Sequence, residues 1–195
     1  MNCQYVNMNK QEEKIAKAAL AVFSRYGIGR ATMSDIAKEA GLVRQTLYTV
    51  YSSKDDVLCA AIRYFSETSM SAIKHTWGGT DDLGEKLDIY FEQAIIQFFV
   101  VIHSSPDANE MMSGYNDAGK AEIARMRLQK IEAIAEIFEP FAAAITNSGL
   151  TVEQLADFFQ SASMNLRNDA RNEEHLRSLL RSLKLTILSL TERKY

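Results

Sequence analysis

The segment that decides the fold spans residues 32–54 and reads TMSDIAKEAGLVRQTLYTVYSSK. Thr32, with Asp35 three positions later, is typical of the capping box that begins a helix. The apolar residues that follow recur at helical spacing and form one face: Met33, Ile36, Ala37 and Ala40. Gly41 permits a left-handed turn, and a second short helix is predicted to begin near Arg44. The segment therefore predicts a helix-turn-helix, in which a supporting helix and a tight turn precede a recognition helix.

The second helix of this segment is predicted to bury Leu47, together with Val50 or Tyr51, and to present a polar face. That face suits DNA, because Gln45 can pair bidentately with adenine and Arg44 with guanine or a phosphate. Hydroxyl and ammonium groups donate to phosphates, which position a helix without reading sequence. The remaining polar residues of this kind are Thr46, Tyr48, Thr49 and Lys54. Lys54 also stands where the next helix begins, and backbone N–H groups there favour an anion. The alternative is a small three-helix unit with a polar surface.

The composition of the 195 residues favours an all-helical chain. Nine Gly and two Pro make about 6% of the residues, against about 12% in average proteins, so turns are few and elements long. The net charge of −3 hides an asymmetry. Residues 1–54 carry eight Lys or Arg and four acids (+4), whereas residues 55–195 carry fourteen and twenty-one (−7). Either this split is chance, or the basic N-terminal part alone meets a polyanion.

Several classes of protein are disfavoured. The longest apolar stretch, 94–102, is interrupted by Gln97 and is shorter than the ~20 residues of a membrane helix. The first ten residues are polar and lack the apolar core of a secretory signal. Two cysteines, Cys3 and Cys59, suggest no disulfide framework. We therefore expect a reduced, cytoplasmic protein that contacts no membrane.

Turn signals divide the chain into segments of helical length. Ile15, Ala19, Phe23 and Tyr26 recur at helical spacing in the first, and Gly27 follows as its C-cap. The segment 84–103 is apolar nearly all round, which predicts a buried helix. Helices are predicted at about 10–26, 33–40, 44–50, 54–76, 84–103, 107–113, 118–145, 151–167 and 173–193.

Residues 12–60 closely resemble the N-terminal region of the TetR-type bacterial transcriptional regulators, and the rest of the chain matches them only in helical layout. The resemblance implies an all-α fold with a three-helix DNA-binding domain (1–53) and a larger effector-binding and dimerisation domain (54–195). It also implies a DNA-facing set of Thr32, Arg44, Gln45, Thr46, Tyr48, Thr49 and Lys54. It rests on Ala18, Phe23, Tyr26, Gly27, Ala31, Thr32, Asp35, Ile36, Ala37, Ala40, Gly41, Leu42, Thr46, Leu47, Tyr48, Tyr51, Ser53, Lys54 and Leu58.

One position departs from the pattern of that family. Val43 stands where the family usually has Ser or Thr as the N-cap of the recognition helix. Loss of such a cap typically costs ~1 kcal/mol. We therefore expect the recognition helix to fray more when it is free of DNA.

Two C-terminal segments carry apolar residues at heptad spacing. Four such helices from two chains can form a bundle, which is how TetR-like proteins dimerise, and a symmetric dimer would bring two recognition helices to successive major grooves of an inverted repeat. The alternative is that both seams face the core of their own chain. The predicted dimer residues are Leu155, Phe159, Ala162 and Leu166 in the first segment, and Leu176, Leu180, Leu183, Ile187 and Leu190 in the second.

The middle of the chain is rich in large apolar residues. Most are expected to be ordinary core, but the resemblance implies a cavity for a small molecule, and an apolar wall with a few polar groups suits one. We predict an apolar or amphipathic effector, bound among Tyr64, Tyr90, Gln97, Phe98, His103, Met111, Met126, Arg127, Phe158 and Asn165.

Catalysis is disfavoured. None of the three histidines has Glu three positions before it, and Cys-x-x-Cys, Walker and Gly-x-Ser-x-Gly motifs are missing from the sequence. We therefore expect no catalytic residue, cofactor or metal. The favoured function is a homodimeric repressor, associated with the bacterial nucleoid when bound and released from its operator by the effector. The alternative is an architectural or partner-binding DNA protein without an effector.

Overall fold

The computed structural model describes residues 8–104 and 117–192, and these residues form helices and no strand. The all-α class is therefore confirmed. The predicted helix at 107–113 lies outside the described residues. The α-helices are α1 (Lys10–Tyr26), α2 (Met33–Glu39), α3 (Arg44–Val50), α4 (Lys54–Trp77), α5 (Leu83–Tyr90), α6 (Gln97–Ser104), α7 (Asp117–Phe138), α8 (Ala142–Asn147), α9 (Val152–Asp169) and α10 (Glu173–Thr191).

Two predicted helices are interrupted. A π-helical segment, Phe91–Ile96, joins α5 to α6, and the predicted burial of this stretch on all sides is wrong, because Glu92, Gln97 and Val100 are exposed. The helix predicted at 118–145 ends at Phe138 and continues as a 3-10 turn, Glu139–Phe141, before α8. Pro140 explains this break, since proline lacks an amide donor and clashes with the preceding turn of a helix.

The described residues divide into two compact units. The first contains residues 8–67 and 117–124, and the second contains 68–104 and 125–192. The division falls within α4 and within α7, so each of these helices contributes to both units. The domain limits 1–53 and 54–195 stay a prediction.

The core of the first unit is formed by α1, α2, α3 and the start of α4. Its fully buried side chains include Ile15, Phe23, Ile36, Leu47 and Leu58. Positive φ angles at Gly27 (75°) and Gly41 (61°) end α1 and follow α2, as the sequence predicts. In the same unit Arg63 of α4 forms a bidentate ion pair with the nearly buried Glu122 of α7, at 3.1 and 3.2 Å.

The core of the second unit is rich in aromatic rings. The ring centroid of Phe159 lies 5.5 Å from that of Tyr90, 5.4 Å from that of Phe91 and 5.9 Å from that of Phe138. Trp77 donates its indole N–H to the carbonyl of Lys86 at 2.8 Å. These contacts join α5, the π-helical segment, α7 and α9 around one apolar centre.

Candidate nucleic-acid interface and effector region

The helix-turn-helix geometry follows from local signals in the sequence. Thr32 caps α2 by accepting from the Asp35 amide at 3.2 Å, and the Asp35 carboxylate accepts from the Thr32 amide at 3.0 Å. After α2, the Leu42 amide donates to the Ala37 carbonyl at 2.9 Å across Gly41, which is the bond of a Schellman turn. Leu42 packs against the apolar core. These contacts fix the direction in which α3 leaves the turn.

The recognition helix α3 has one buried face and one exposed face. Leu47 is fully buried, and Val50 and Tyr51 pack against the same core. Four of the predicted DNA-facing residues are exposed, namely Arg44, Gln45, Tyr48 and Thr49, whereas Thr46 is half-buried. The sequence pattern thus correctly separates the packed side of α3 from its polar side.

Two of the exposed side chains on α3, Arg44 and Tyr48, contact each other. The Arg44 guanidinium donates to the Tyr48 hydroxyl at 3.2 Å and lies 5.3 Å from the centroid of the Tyr48 ring. Arg44 is thereby held along the exposed face, where it can meet guanine or a phosphate. Within residues 8–104 and 117–192, the structure gives the Gln45 side chain no hydrogen bond. Its amide is therefore available for a base edge.

The first turn of α3 lacks a side-chain cap. Val43 stands at the N-cap with extended dihedral angles (φ −76°, ψ 147°), and its side chain is 70% exposed. Only a side-chain acceptor is missing, because the backbone already has the conformation of a capped helix. Fraying of α3 in the free chain stays a prediction.

Two predicted DNA-facing residues are engaged inside the first unit. The Lys54 ammonium donates to the carbonyls of Ile28 (2.8 Å), Ala31 (3.2 Å) and Gly29 (3.4 Å). The Thr32 hydroxyl donates to the Asp35 carboxylate at 2.6 Å. The Lys54 ammonium and the Thr32 hydroxyl therefore already donate to protein acceptors when DNA is absent. A DNA phosphate would have to compete with these acceptors for the same donors.

A capping box that the sequence analysis missed begins α4. The Asp56 carboxylate accepts from the Ser53 amide at 3.0 Å and from the hydroxyls of Ser52 (2.6 Å) and Ser53 (2.8 Å). The Asp56 amide donates to the Ser53 hydroxyl at 3.1 Å. These bonds lower the pKa of Asp56, and the bonds from Thr32 likewise lower that of Asp35. The sequence signal for this capping box is Ser53 with Asp56 three positions later.

The residues predicted to bind an effector differ in burial. Tyr90 is fully buried and donates its hydroxyl to the Gln160 side chain, and burial raises the pKa of Tyr90. Met126 is buried, and Tyr64 and Phe98 are half-buried. Met111 lies outside the described residues. The exposed members of the set are Gln97, His103, Arg127, Phe158 and Asn165.

Two of the exposed residues have partners of their own. Arg127 donates to the Asp157 carboxylate at 2.5 Å and to the Ser161 hydroxyl at 2.7 Å. The Nδ1 atom of His103 lies 2.8 Å from the Phe99 carbonyl. The buried residues Tyr90 and Met126 remain candidates to line a cavity, whereas the exposed ones lie on the surface.

Two basic residues of the second unit were not singled out in the sequence. Lys130 of α7 and Arg167 of α9 are both half-buried. Burial lowers the pKa of both groups. The nearby positive charge of Arg167 lowers the pKa of Lys130 further, to about 8. No pattern in the sequence marks them, because their surroundings depend on how α7 and α9 pack.

The predicted dimer residues fall into two groups. Ala162, Leu166 and Leu190 are half-buried. The other six, Leu155, Phe159, Leu176, Leu180, Leu183 and Ile187, are buried in the core of their own unit. For these six the structure corresponds to the alternative in which the heptad seams face the core of their own chain. They offer a second chain no surface, since their neighbours already cover them.

Residues 8–104 and 117–192 contain no group of three or more His, Cys, Asp or Glu side chains placed to hold a metal ion. Across the same ranges, no helix is both long enough and apolar enough to cross a membrane.

Comparison with known proteins gives the N-terminal part of the chain a family context. Residues 15–61 match the family described as bacterial regulatory proteins, tetR family. The uncharacterised HTH-type transcriptional regulator YvdT of Bacillus subtilis is 33% identical over 84 residues, which are 43% of this chain and 43% of that protein. YerO of the same organism is 31% identical over 68 residues, or 35% of this chain and 24% of that protein. The chain thus aligns with less than half the length of these curated relatives.

Solved structures resemble nearly the whole chain. A TetR transcription regulator from Haloarcula marismortui has a TM-score of 0.69 and 16% identity, covering 93% of this chain and 98% of that one. The fatty acid degradation regulator FadR from Bacillus halodurans has a TM-score of 0.66 and 17% identity, covering 93% and 96%. At these identities the likeness is one of fold.

Proposed function

We propose that this chain is a member of the TetR family of bacterial regulatory proteins, to which residues 15–61 match, and that it acts as a homodimeric repressor that binds a specific DNA operator. The observation that carries the proposal is the exposed face of α3, where Arg44, Gln45, Tyr48 and Thr49 lie opposite the buried Leu47. Arginine and glutamine are the side chains that read guanine and adenine bidentately in the major groove. The basic charge of residues 1–54 adds the attraction to phosphates that any DNA-binding surface needs.

Selection from random duplex DNA at two salt concentrations tests this function. We expect enrichment of an inverted repeat, with half-sites about one helical turn apart. Gln45→Ala should weaken binding to the selected site by about 1–3 kcal/mol and relax its preference at one base pair. Uniform weakening on every sequence would contradict base reading by Gln45. Enrichment of no sequence, with binding that vanishes at higher salt, would favour the architectural alternative.

The effector is proposed to be an apolar or amphipathic small molecule that releases the repressor from DNA. The aromatic second unit supports this proposal, because such walls suit apolar ligands. The structural neighbour from Bacillus halodurans is described as a regulator of fatty acid degradation, which is compatible with an amphipathic ligand. A protein preparation free of bound ligand should bind operator more tightly than one to which an active effector is added.

The homodimer is proposed to form through the outer sides of α9 and α10. We call this surface the outer stripe. It contains the large exposed side chains Phe158 and Leu185, which point away from the core. Short polar side chains flank Leu185 at helical spacing and let a second helix approach closely. The outer stripe comprises Gln154, Phe158, Ser161 and Asn165 on α9, and Ser178, Ser182, Leu185 and Ser189 on α10.

A matched pair of leucines tests the dimer surface. Leu185 on α10 is 61% exposed and Leu128 on α7 is 59% exposed, so both should tolerate arginine without loss of folding. We expect Leu185→Arg to give monomers in sedimentation equilibrium and to lose operator binding, while Leu128→Arg stays dimeric. Dimers of normal stability with Leu185→Arg would contradict the outer stripe as the interface. The protein is further proposed to act in the bacterial cytoplasm, where its operator lies.

A further inference from the structure

Two half-buried basic side chains in the second unit have no acidic partner among the residues that the structure describes. Lys130 is half-buried, and across residues 8–104 and 117–192 it makes no hydrogen bond or ion pair. Arg167 is also half-buried, and it donates only to the neutral Asn168 side-chain oxygen, from Nη2 at 3.1 Å and Nε at 3.3 Å. The guanidinium carbon of Arg167 lies 4.4 Å from the centroid of the Phe98 ring.

Other basic side chains of the same unit are paired. Lys74 contacts Glu136 at 2.8 Å, Arg127 contacts Asp157 at 2.5 Å, and Lys184 contacts Asp88 at 2.5 Å. In each of these pairs the acid side chain is exposed, at 64%, 56% and 60% respectively, and an ion pair with an exposed partner contributes little. Among the described residues, Lys130 and Arg167 are thus half-buried cations without a counter-charge, and burial makes an uncompensated charge costly.

Within residues 8–104 and 117–192, no carboxylate is among the groups that act electrostatically on Lys130 and Arg167. The charged group that acts on Lys130 is Arg167, and the group that acts on Arg167 is the Tyr90 phenol. The Tyr90 hydroxyl is committed to Gln160 and is held neutral by burial. Lys130 and Arg167 therefore repel each other, with the guanidinium stacked on an aromatic ring. An anion placed between them would remove both the repulsion and the cost of burial.

We infer that the effector is an organic anion, whose acidic group binds Lys130 and Arg167 and whose apolar body packs against aromatic side chains that include Phe98. This inference rests on the proposed effector function and specifies the chemical class of the ligand. The three N–H groups that Arg167 does not donate to Asn168 can hold a carboxylate or a phosphate. Lys130 of α7 supplies the second charge.

Calorimetric titration with probes that share an apolar body but differ in charge tests the inference. The probes are naphthalene-2-carboxylate, naphthalene-2-carboxamide and decanoate. At pH 7 we expect both carboxylates to bind, and the naphthalene carboxylate to bind at least tenfold more tightly than the amide. Equal affinity for acid and amide, or no binding of either carboxylate, would overturn the inference.

The variants Lys130→Met and Lys74→Met separate the site from general charge. Each removes one positive charge from the same unit, but Lys74 is ion-paired at the surface. We expect Lys130→Met to lose carboxylate binding tenfold or more and to melt at a higher temperature than the natural protein, since a buried unpaired charge has been removed. Lys74→Met should bind normally. Unchanged binding by Lys130→Met would overturn the role of this lysine.

Proton uptake gives a readout that a purely structural lysine would not show. Because the pKa of Lys130 lies at about 8 in the free protein, a bound anion should raise it and draw in a proton at pH 8.5. Titrations in two buffers of different ionisation enthalpy measure this uptake, which should vanish in Lys130→Met.

Operator binding, measured in parallel, tests the proposed function independently. Carboxylate binding without DNA binding would refute only that function, and operator release by neutral ligands alone would refute only the inference.

Discussion

Replacing Val43 by Thr should stabilise the recognition helix by somewhat less than 1 kcal/mol. A hydroxyl acceptor at an N-cap is worth about 1 kcal/mol. The N-cap backbone is already extended at Val43 (φ −76°, ψ 147°), as it is at the capped Thr32 (φ −115°, ψ 158°), so no rearrangement opposes the new bond. The substitution exchanges a methyl group for a hydroxyl on a side chain that is 70% exposed. At about 0.8 kcal/mol per buried carbon, about 0.2 kcal/mol of apolar burial is lost. The net gain is therefore about 0.8 kcal/mol.

Hydrogen exchange of the amides in α3 measures this gain directly. A stabilisation of about 0.8 kcal/mol slows exchange about fourfold where opening is local. Val43→Ala is the control without an acceptor, and Thr32→Val is the reciprocal change, which should destabilise α2 by about 1 kcal/mol. The reasoning is refuted if Val43→Thr and Val43→Ala protect α3 equally while Thr32→Val behaves as expected.

Three further predictions concern charged groups of the first unit, with one ion pair of the second unit as a control. Lys54→Met should lower the free energy of unfolding by about 2 kcal/mol, because it removes charge-assisted hydrogen bonds to backbone carbonyls. Denaturant titration measures this loss, and an unchanged free energy of unfolding would mean that these bonds contribute nothing to stability. Glu122→Gln should cost about 3 kcal/mol by leaving Arg63 without its ion pair, whereas Glu136→Gln, in an exposed pair, should cost under about 1 kcal/mol. Stability should also fall with acid, since capping holds the pKa of Asp35 below its ordinary value of 3.8. That contribution is complete above pH 3.8 and is lost as the pH falls through the lower folded value, so Asp35→Asn should show a weaker acid dependence.

The parts of this structure that could be predicted are those whose signals are local. The capping box at Thr32, the turn at Gly41 and the burial of Leu47 each depend on residues within one or two helical turns, and all three are confirmed. The break at Pro140 was equally local, but the apolar periodicity on either side of it concealed the end of the helix. The π-helical segment has no comparable marker.

The remaining features depend on contacts between distant residues. Lys54 reaches carbonyls up to 26 residues away, which no spacing rule anticipates. The heptad pattern of α9 and α10 shows that one face of each helix is buried, but not whether the same chain or another one covers it. Lys130 and Arg167 look ordinary in the sequence, since a basic residue is unusual only when its surroundings lack an acid.

The ammonium of Lys54 ties the start of α4 to the loop between α1 and α2. Val57 and Leu58, on the first turn of α4, are buried in the same apolar core as Leu47 of α3. A tilt of α4 would therefore move α3 with it and leave the shape of α3 unchanged. In the proposed dimer, such a tilt would change the separation of the two α3 helices and so their register on successive major grooves of DNA. Loss of the Lys54 hydrogen bonds should therefore weaken the link between effector binding and operator release in the proposed repressor. Binding of the effector and binding of DNA should each persist.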